Sequence, residues 1–215
     1  MATMTATDRR IYVSCLASYN SGTLHGAWID ADQDADVIRG EIADMLRESP
    51  FPNVTVDCPE CDSGKCPAGT CLKGEPCSHV CEECNGTGKV PSAEEYAIHD
   101  FEGFDGIKLS EHESIDTIAE LASAIAEHGE AFAAWYAHDS RDSVDVDAFQ
   151  ESYRGHFSKL EDYAYELVTD CYFTKETPQI FQQYFDFEAF GRDMELGGDI
   201  YTVDGDGGIY VFDNH

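Results

Sequence analysis

The cysteine-rich segment 54–91 constrains the fold of this chain more than any other feature of the sequence. It contains seven of the nine cysteines, with Gly, Pro and Lys between them and few large apolar residues. Such a segment cannot bury enough apolar surface to form a hydrophobic core of its own. Its two CxxC pairs are separated by 19 residues, a spacing typical of a tetrahedral four-thiolate zinc site. We therefore predict a structural Zn²⁺ ion bound by Cys58, Cys61, Cys81 and Cys84.

Four further candidate ligands lie between the two pairs. A catalytic zinc ion keeps an open coordination position, usually with His or carboxylate ligands, so four cysteines favour a closed structural site. Disulfides are the poorer explanation in a protein that we expect to be intracellular. The candidates for a second zinc site, or alternatively for spare ligands and free thiols, are Cys66, Cys71, Cys77 and His79. The two remaining cysteines, Cys15 and Cys171, lie in apolar patterns and are predicted to be core residues.

The net charge excludes several classes of function. The chain has 43 acidic and 13 basic residues, which gives a formal net charge of −30. A surface of this kind repels DNA, RNA and anionic lipid, so we expect neither direct nucleic-acid binding nor membrane binding. No apolar run approaches the roughly 18 residues of a transmembrane helix, and the first ten residues lack the apolar core of a signal peptide. We therefore expect a cytoplasmic protein.

The negative charge is concentrated in the last part of the chain. Residues 92–215 include 29 acidic and 6 basic residues, a net charge of −23. The same stretch is rich in aromatic residues, so we expect it to be folded as well as acidic. Acidity of this kind either keeps a folded protein soluble or presents carboxylates to a cationic partner.

The hydrophobic pattern of the first 53 residues predicts a small α+β unit. Residues 11–15 and 23–31 have the apolar runs of two strands, and Asn20–Gly22 between them predicts a hairpin turn. A helix follows, capped by Asp34 or Asp36, with an apolar stripe of Ile38, Ile42, Met45 and Leu46.

The chain after the cysteine-rich segment is predicted to be mainly helical. Ser92 with Glu95 and Ser110 with Glu113 have the spacing of capping boxes, which mark helix starts. A stripe of apolar residues from Ile115 to Ile125 predicts a buried helix. A terminal hairpin is predicted from residues 200–202 and 209–211. Further helical patterns cover 130–138, 147–157, 159–172 and 178–196.

Four stretches of the chain resemble the ArdA antirestriction family. Residues 11–31 (IYVSCLASYNSGTLHGAWIDA) are similar to the opening of that family, and residues 93–104 (AEEYAIHDFEGF) to its most recognisable block, with Tyr96 where Trp is commoner. Residues 187–193 and 208–212 extend the likeness to the end of the chain. The segment 54–91 lies outside the resemblance and is interpreted as an insertion. Its second CxxC pair, with the glycines that follow (CEECNGTG), is similar to the zinc repeat of DnaJ chaperones.

The resemblance implies an α+β fold in an elongated chain of three small domains. These are a β-hairpin and helix domain, a helical domain and a C-terminal α+β domain, to which the sequence adds a zinc-ribbon-like insertion. The C-terminal domain is expected to form a homodimer, and the apolar character of its hairpin Ile209–Phe212 supports this expectation. The boundaries are 1–53 plus 92–104 for the N-terminal domain, 54–91 for the insertion, 105–157 for the helical domain and 158–215 for the C-terminal domain.

The resemblance also implies a function, namely mimicry of DNA. The partner would be a type I restriction–modification enzyme, whose DNA-binding groove the protein would occupy. The charge agrees, because duplex DNA has one negative charge per about 1.7 Å, so −30 corresponds to about 15 base pairs. We find no nucleophile or nucleotide-binding motif and expect no enzymatic activity. The carboxylates expected to imitate phosphates are Asp139, Asp142, Asp145, Asp147, Glu161, Asp162, Asp186, Glu188, Asp193 and Glu195.

Two other hypotheses belong to different classes of function. The first is a zinc-dependent, chaperone-like protein-interaction module whose acidity is only solubilising. The second is a hydrolase that uses a metal ion or paired carboxylates. Rows of carboxylates along one extended face favour mimicry, and a core-facing or evenly scattered distribution favours the interaction module. A cleft with converging carboxylates and an open metal position favours a hydrolase.

Overall fold

The chain folds into two compact units of mixed α+β structure, which confirms the predicted fold class. A computed structural model describes residues 9–61, 81–138, 141 and 143–214. The N-terminal unit comprises the described residues up to Gly103 together with Leu109–Ala119, and the C-terminal unit comprises Phe104–Lys108 and the described residues from Glu120 onward. None of the described helices is long and apolar enough to cross a membrane.

A three-stranded antiparallel sheet, in the order β2-β1-β5, organises the N-terminal unit. Ile11 of the central strand pairs with Ile29 on one side and Phe101 on the other, and a β-bulge follows Tyr12. Ile11 and Val13 are fully buried, as their alternation predicts. The elements are β1 (Arg10–Cys15), α1 (Leu16–Asn20), β2 (Gly26–Asp30), α2 (Ala35–Arg47), β3 (Val54–Asp57), β4 (Lys89–Ser92) and β5 (Tyr96–Glu102).

Helix α2 covers the sheet with the apolar stripe that the sequence predicted. Asp34 occupies the N-cap position, with extended backbone angles. The buried residues of the helix are Ile38, Ile42, Met45 and Leu46. A periodic stripe of this width is sufficient to place one helix on one sheet face.

Two local predictions for the N-terminal unit were wrong. The connection after β1 is not a tight hairpin, because the short helix α1 precedes the turn at Ser21 and Gly22. Ser92 and Glu95 do not cap a helix. Ser92 ends β4, and the residues after Glu95 form β5, which pairs with the full length of β1. A sheet partner distant in sequence therefore outweighs the local capping signal.

The strands β3 and β4 form a separate two-stranded ribbon at the two ends of the cysteine-rich segment. Backbone hydrogen bonds close the base of the ribbon and join it to helix α2. The Asn53 amide donates to the Ser92 carbonyl at 2.9 Å, and the Ala93 amide to the Leu46 carbonyl at 3.1 Å. The cysteine-rich segment therefore leaves and re-enters the N-terminal unit at one place.

The first part of the C-terminal unit is helical and packs around aromatic side chains. Phe132 and Trp135 are buried in α4 and contact Phe149 of α5, with ring centroids 5.4 and 5.7 Å apart. The helices are α3 (Ile115–His128), whose last nine residues lie in this unit, α4 (Glu130–His138) and α5 (Val146–Ser152). Gly129, at a φ of +67°, separates α3 from α4.

A second three-stranded antiparallel sheet, in the order β6-β8-β7, forms the rest of the C-terminal unit. Its strands are β6 (Tyr153–Phe157), β7 (Ile200–Gly205) and β8 (Gly208–Asp213). Helices α6 (Leu160–Leu167) and α8 (Phe187–Gly197) pack against each other, and a Cβ at Gly191 would lie 3.1 Å from Leu160. The short helix α7 (Gln179–Gln183) has no buried residue.

The predicted terminal hairpin is confirmed, whereas two helical predictions need correction. The pattern at 147–157 is helical only to Ser152, because Tyr153–Phe157 pairs with β8. The pattern at 178–196 is divided between α7 and α8. Helix α6 continues as a π-helical turn, Val168–Tyr172, within the predicted range.

Candidate metal centre and acidic surface

The structure brings together the four cysteines predicted to bind one metal ion. One Sγ atom from each of Cys58, Cys61, Cys81 and Cys84 lies within 4.8 Å of the other three. Three of the four side chains are buried, and Cys61 is half-buried. Val56 and Val90 of the ribbon pack against the cluster. The cysteines therefore occupy the centre of the small core that this segment does form.

The sulfur–sulfur distances fit a tetrahedral metal site. Cys58 Sγ lies 3.8 Å from Cys81 Sγ, and Cys61 Sγ lies 3.6 Å from Cys84 Sγ. With Zn–S bonds of about 2.3 Å, two sulfurs of a tetrahedron are about 3.8 Å apart. Disulfide sulfurs would be separated by about 2.05 Å. The spacing thus matches thiolates around a common ion.

The turn after Cys84 shows why glycines follow the second CxxC pair. The Gly88 amide donates to Cys84 Sγ at 3.3 Å, and the Cys58 amide donates to the Gly88 carbonyl at 3.0 Å. Asn85, Gly86 and Gly88 have φ values of 50°, 79° and 71°, in the left-handed region. Glycine adopts this region without a steric penalty. The backbone can therefore fold closely around the sulfur.

The thiols differ in their ease of deprotonation. Burial disfavours the Cys84 thiolate, but hydrogen bonds from the Gly88 amide and from Cys61 and Cys81 outweigh burial and lower the Cys84 pKa to about 6. Burial instead raises the pKa of Cys58. Metals bind thiolates, so the lowered pKa of Cys84 favours metal binding by this thiol.

The other predicted ligands and free cysteines have varied outcomes. Cys66, Cys71, Cys77 and His79 lie outside the described residues, and the second zinc site stays a prediction. Cys15 is buried within the N-terminal unit, as its apolar pattern indicated. Cys171 is exposed on the π-helical turn, so its interpretation as a core residue was wrong.

The carboxylates predicted to imitate phosphates lie mainly on the surface. Asp139 and Asp142 are outside the described residues, while Glu161 and Asp162 are half-buried at the start of α6. The exposed members of the set are Asp145, Asp147, Asp186, Glu188, Asp193 and Glu195. These six side chains come from α5, α8 and their N-caps.

Some of these carboxylates also have structural partners. Asp145 accepts a hydrogen bond from the Ala148 amide, and Asp186 accepts one from the Ala189 amide, so both are N-caps. Glu161 forms an ion pair with Lys159. Caps and ion pairs fix the orientation of a carboxylate without removing it from the surface.

Comparison with known proteins identifies one family. The profile described as antirestriction protein (ArdA) matches residues 11–207, which is most of the chain and includes the cysteine cluster. No curated protein matches the chain.

Proposed function

Because this chain belongs to the ArdA family of antirestriction proteins, we propose that it inhibits type I restriction–modification enzymes by occupying their DNA-binding groove. Proteins of this family are inhibitors rather than enzymes. The observation that carries the mechanism is the excess of surface carboxylates on the C-terminal unit. In the described part of residues 120–214, fifteen Asp and Glu side chains are exposed, against five Lys and Arg in all.

Many weak contacts supply the binding energy in this mechanism. An exposed ion pair contributes about 0–1 kcal/mol and is screened by salt. Lys and Arg residues that neutralise DNA phosphates can meet fixed carboxylates in the same way. Affinity should therefore fall steeply with salt concentration, as DNA affinity does.

Competition with DNA tests the proposal directly. A purified type I enzyme is titrated with this protein in the presence of labelled duplex DNA containing its recognition site. We expect the protein to displace the duplex, and excess duplex to displace the protein. Binding that persists unchanged at saturating duplex DNA would show that the two occupy different sites.

Charge-reversal variants test whether many carboxylates share the binding energy. One reversal to Lys should change affinity by less than about threefold, and a triple reversal on the C-terminal unit should weaken binding more than about tenfold. Loss of inhibition by Asp145→Asn alone, in a folded protein, would instead indicate a single essential carboxylate. The triple variant is Asp147→Lys/Glu188→Lys/Asp193→Lys, and its charge-matched control in the N-terminal unit is Glu41→Lys/Glu48→Lys/Glu94→Lys.

We propose that the metal held by the four cysteines is Zn²⁺ and that it is structural. Four thiolates around one ion leave no open position for catalysis. The complex retains two negative charges, so the ion serves the fold rather than neutralising the surface. Metal analysis of protein purified without chelator should find zinc, and its absence would contradict the assignment.

We also propose that the protein is a homodimer joined through its C-terminal unit. The hairpin Ile209–Phe212 is a poor interface, because Val211 and Phe212 are fully buried within the unit. Exposed apolar side chains lie elsewhere on the unit: Phe181 is 66 % exposed, Tyr184 81 % and Leu196 78 %. Apolar exposure of this kind marks an interaction surface.

Sedimentation tests the dimer and its surface together. Repulsion between chains of net charge −30 should make the dimer tighter at high ionic strength. The variant Phe181→Ser/Tyr184→Ser should sediment as a monomer with unchanged circular dichroism. A wild-type protein that is monomeric at micromolar concentration and moderate salt would overturn the proposal.

A further inference from the structure

The C-terminal unit contains a cavity of about 650 Å³ that none of the predictions above uses. It lies among α6, the π-helical turn, α8 and the sheet, and all its lining residues belong to this unit. Buried Tyr163 and Ile200 are part of the apolar core below it. Phe157, Leu167 and Met194 are half-buried and also line it. The cavity is therefore open above an apolar and aromatic floor.

The charged lining of this cavity is strongly acidic. Four carboxylates line it, from Glu166, Asp170, Asp199 and Asp213, against one cation, Arg154. Arg154 forms an ion pair with Asp213. The other three carboxylates make no ion pair with a described residue. Three negative charges thus stand unbalanced beside aromatic rings.

The π-helical turn places the remaining components of the cavity. Asp170 and Tyr172 lie on this turn, and both line the cavity. Tyr172 is 62 % exposed, and its ring meets that of Phe190 at a centroid distance of 6.1 Å. A π-helical turn is rare and is frequently found at functional sites. This turn brings the exposed Tyr172 ring and the Asp170 carboxylate to the same cavity.

We propose that this cavity, here called the aromatic–acidic cavity, binds an arginine side chain of the partner protein. A guanidinium group is planar and can stack on the Tyr172 ring while it donates hydrogen bonds to Asp170 or Glu166. An apolar side chain would leave the carboxylates unpaired, and an anion would be repelled. The three unbalanced carboxylates therefore select a cation, and the rings select a flat one.

This inference rests on the proposed function, because a DNA-binding groove supplies the arginines. It adds one anchoring site to an otherwise distributed charge interaction. Arginine in an aromatic pocket is a common hot spot of protein interfaces.

Methionine methyl NMR of the full-length protein tests the cavity without any enzyme. The chain has four methionines. Met194 lines the cavity, whereas Met45 is buried in the N-terminal unit and serves as an internal control. The probes are N-acetyl-arginine methylamide, its uncharged citrulline analogue and the lysine analogue. Assignment uses Met194→Leu.

We expect the arginine probe to shift the Met194 methyl signal saturably and to leave the Met45 signal in place. The citrulline probe should cause no saturable shift, and the lysine probe should bind more weakly than arginine. Equal shifts with arginine and citrulline, or no shift with arginine, would overturn the proposal. A lysine probe that binds as tightly as arginine would show that the rings contribute nothing.

Substitutions in the cavity lining distinguish arginine binding at the cavity from attraction by the overall negative charge. Glu166→Gln/Asp170→Asn should weaken arginine binding about fivefold, while the equally charged control Glu127→Gln/Glu151→Gln should change it less than twofold. Tyr172→Leu, which leaves the charge unchanged, should weaken it about threefold. Equal loss in cavity and control variants would reduce the effect to overall charge and refute the site.

The competition assay with duplex DNA distinguishes the two proposals. If Met194 does not respond but the protein still displaces DNA from the enzyme, the arginine site is wrong and the proposed function stands. If Met194 responds but DNA is not displaced, the cavity binds arginine and the proposed function is wrong.

Discussion

Removal of the proposed Zn²⁺ ion should open the β3–β4 ribbon while both compact units remain folded. The ribbon is formed by two four-residue strands, and its core contains the cysteines themselves. Cys58 and Cys81 are 23 positions apart. A cross-link across a loop of that length contributes about 3 kcal/mol by restricting the unfolded chain. Metal removal should therefore cost the ribbon at least that amount.

Hydrogen exchange measures this cost at single amides. A loss of about 3 kcal/mol corresponds to about a hundredfold lower protection. The Cys58 amide, which donates to the Gly88 carbonyl at 3.0 Å, reports on the ribbon. The Cys15 amide, which donates to the His25 carbonyl at 2.9 Å, reports on the main sheet. After chelation we expect lower protection at Cys58 and no change at Cys15.

Two variants support the interpretation of this experiment. Cys58→Ser/Cys61→Ser should lose the metal and the ribbon's protection together, while Cys171→Ser should behave as wild type because Cys171 lies outside the cluster. Unchanged protection at Cys58 after complete metal removal would show that the strands hold without the ion. A simultaneous loss at Cys15 would refute the idea that the ribbon opens independently.

Further predictions concern the C-terminal unit. Phe149→Ala should lower the free energy of unfolding by about 3–5 kcal/mol, measured in urea, because Phe149 is buried among four aromatic rings of the core. Asp145→Ala should cost about 1 kcal/mol through loss of the α5 cap, with Asp147→Ala as the near-neutral control. Burial and Glu130 raise the Tyr210 pKa to about 12. The folded state then keeps the Tyr210 proton longer than the unfolded state, so stability should fall above pH 10, the ordinary tyrosine pKa. Tyr210→Phe should reduce that fall in alkaline denaturation, and burial, which also raises the pKa values of Tyr153 and Tyr163, accounts for the remainder.

The sequence alone was sufficient for features whose cause is local. Two residues between paired cysteines allow one turn to present both sulfurs to one point, so the cluster of four cysteines could be predicted from spacing. The stripes of α2 and α3 could be predicted because a helix with one apolar face buries that face. The excess of carboxylates followed from composition, since so many charges cannot be buried.

Tertiary structure decided the features that depend on partners distant in the chain. Residues 153–157 have a helix-like pattern, yet they form β6 because β8 offers an open strand edge. Ser92 and Glu95 have the spacing of a cap, yet β5 follows because β1 needs a second neighbour. The aromatic–acidic cavity escaped prediction, since its ring, its carboxylates and its apolar floor come from segments as far apart in the chain as Phe157 and Asp213. Short-range patterns record the preferences of a segment, whereas packing between segments selects among them and creates the surfaces that bind.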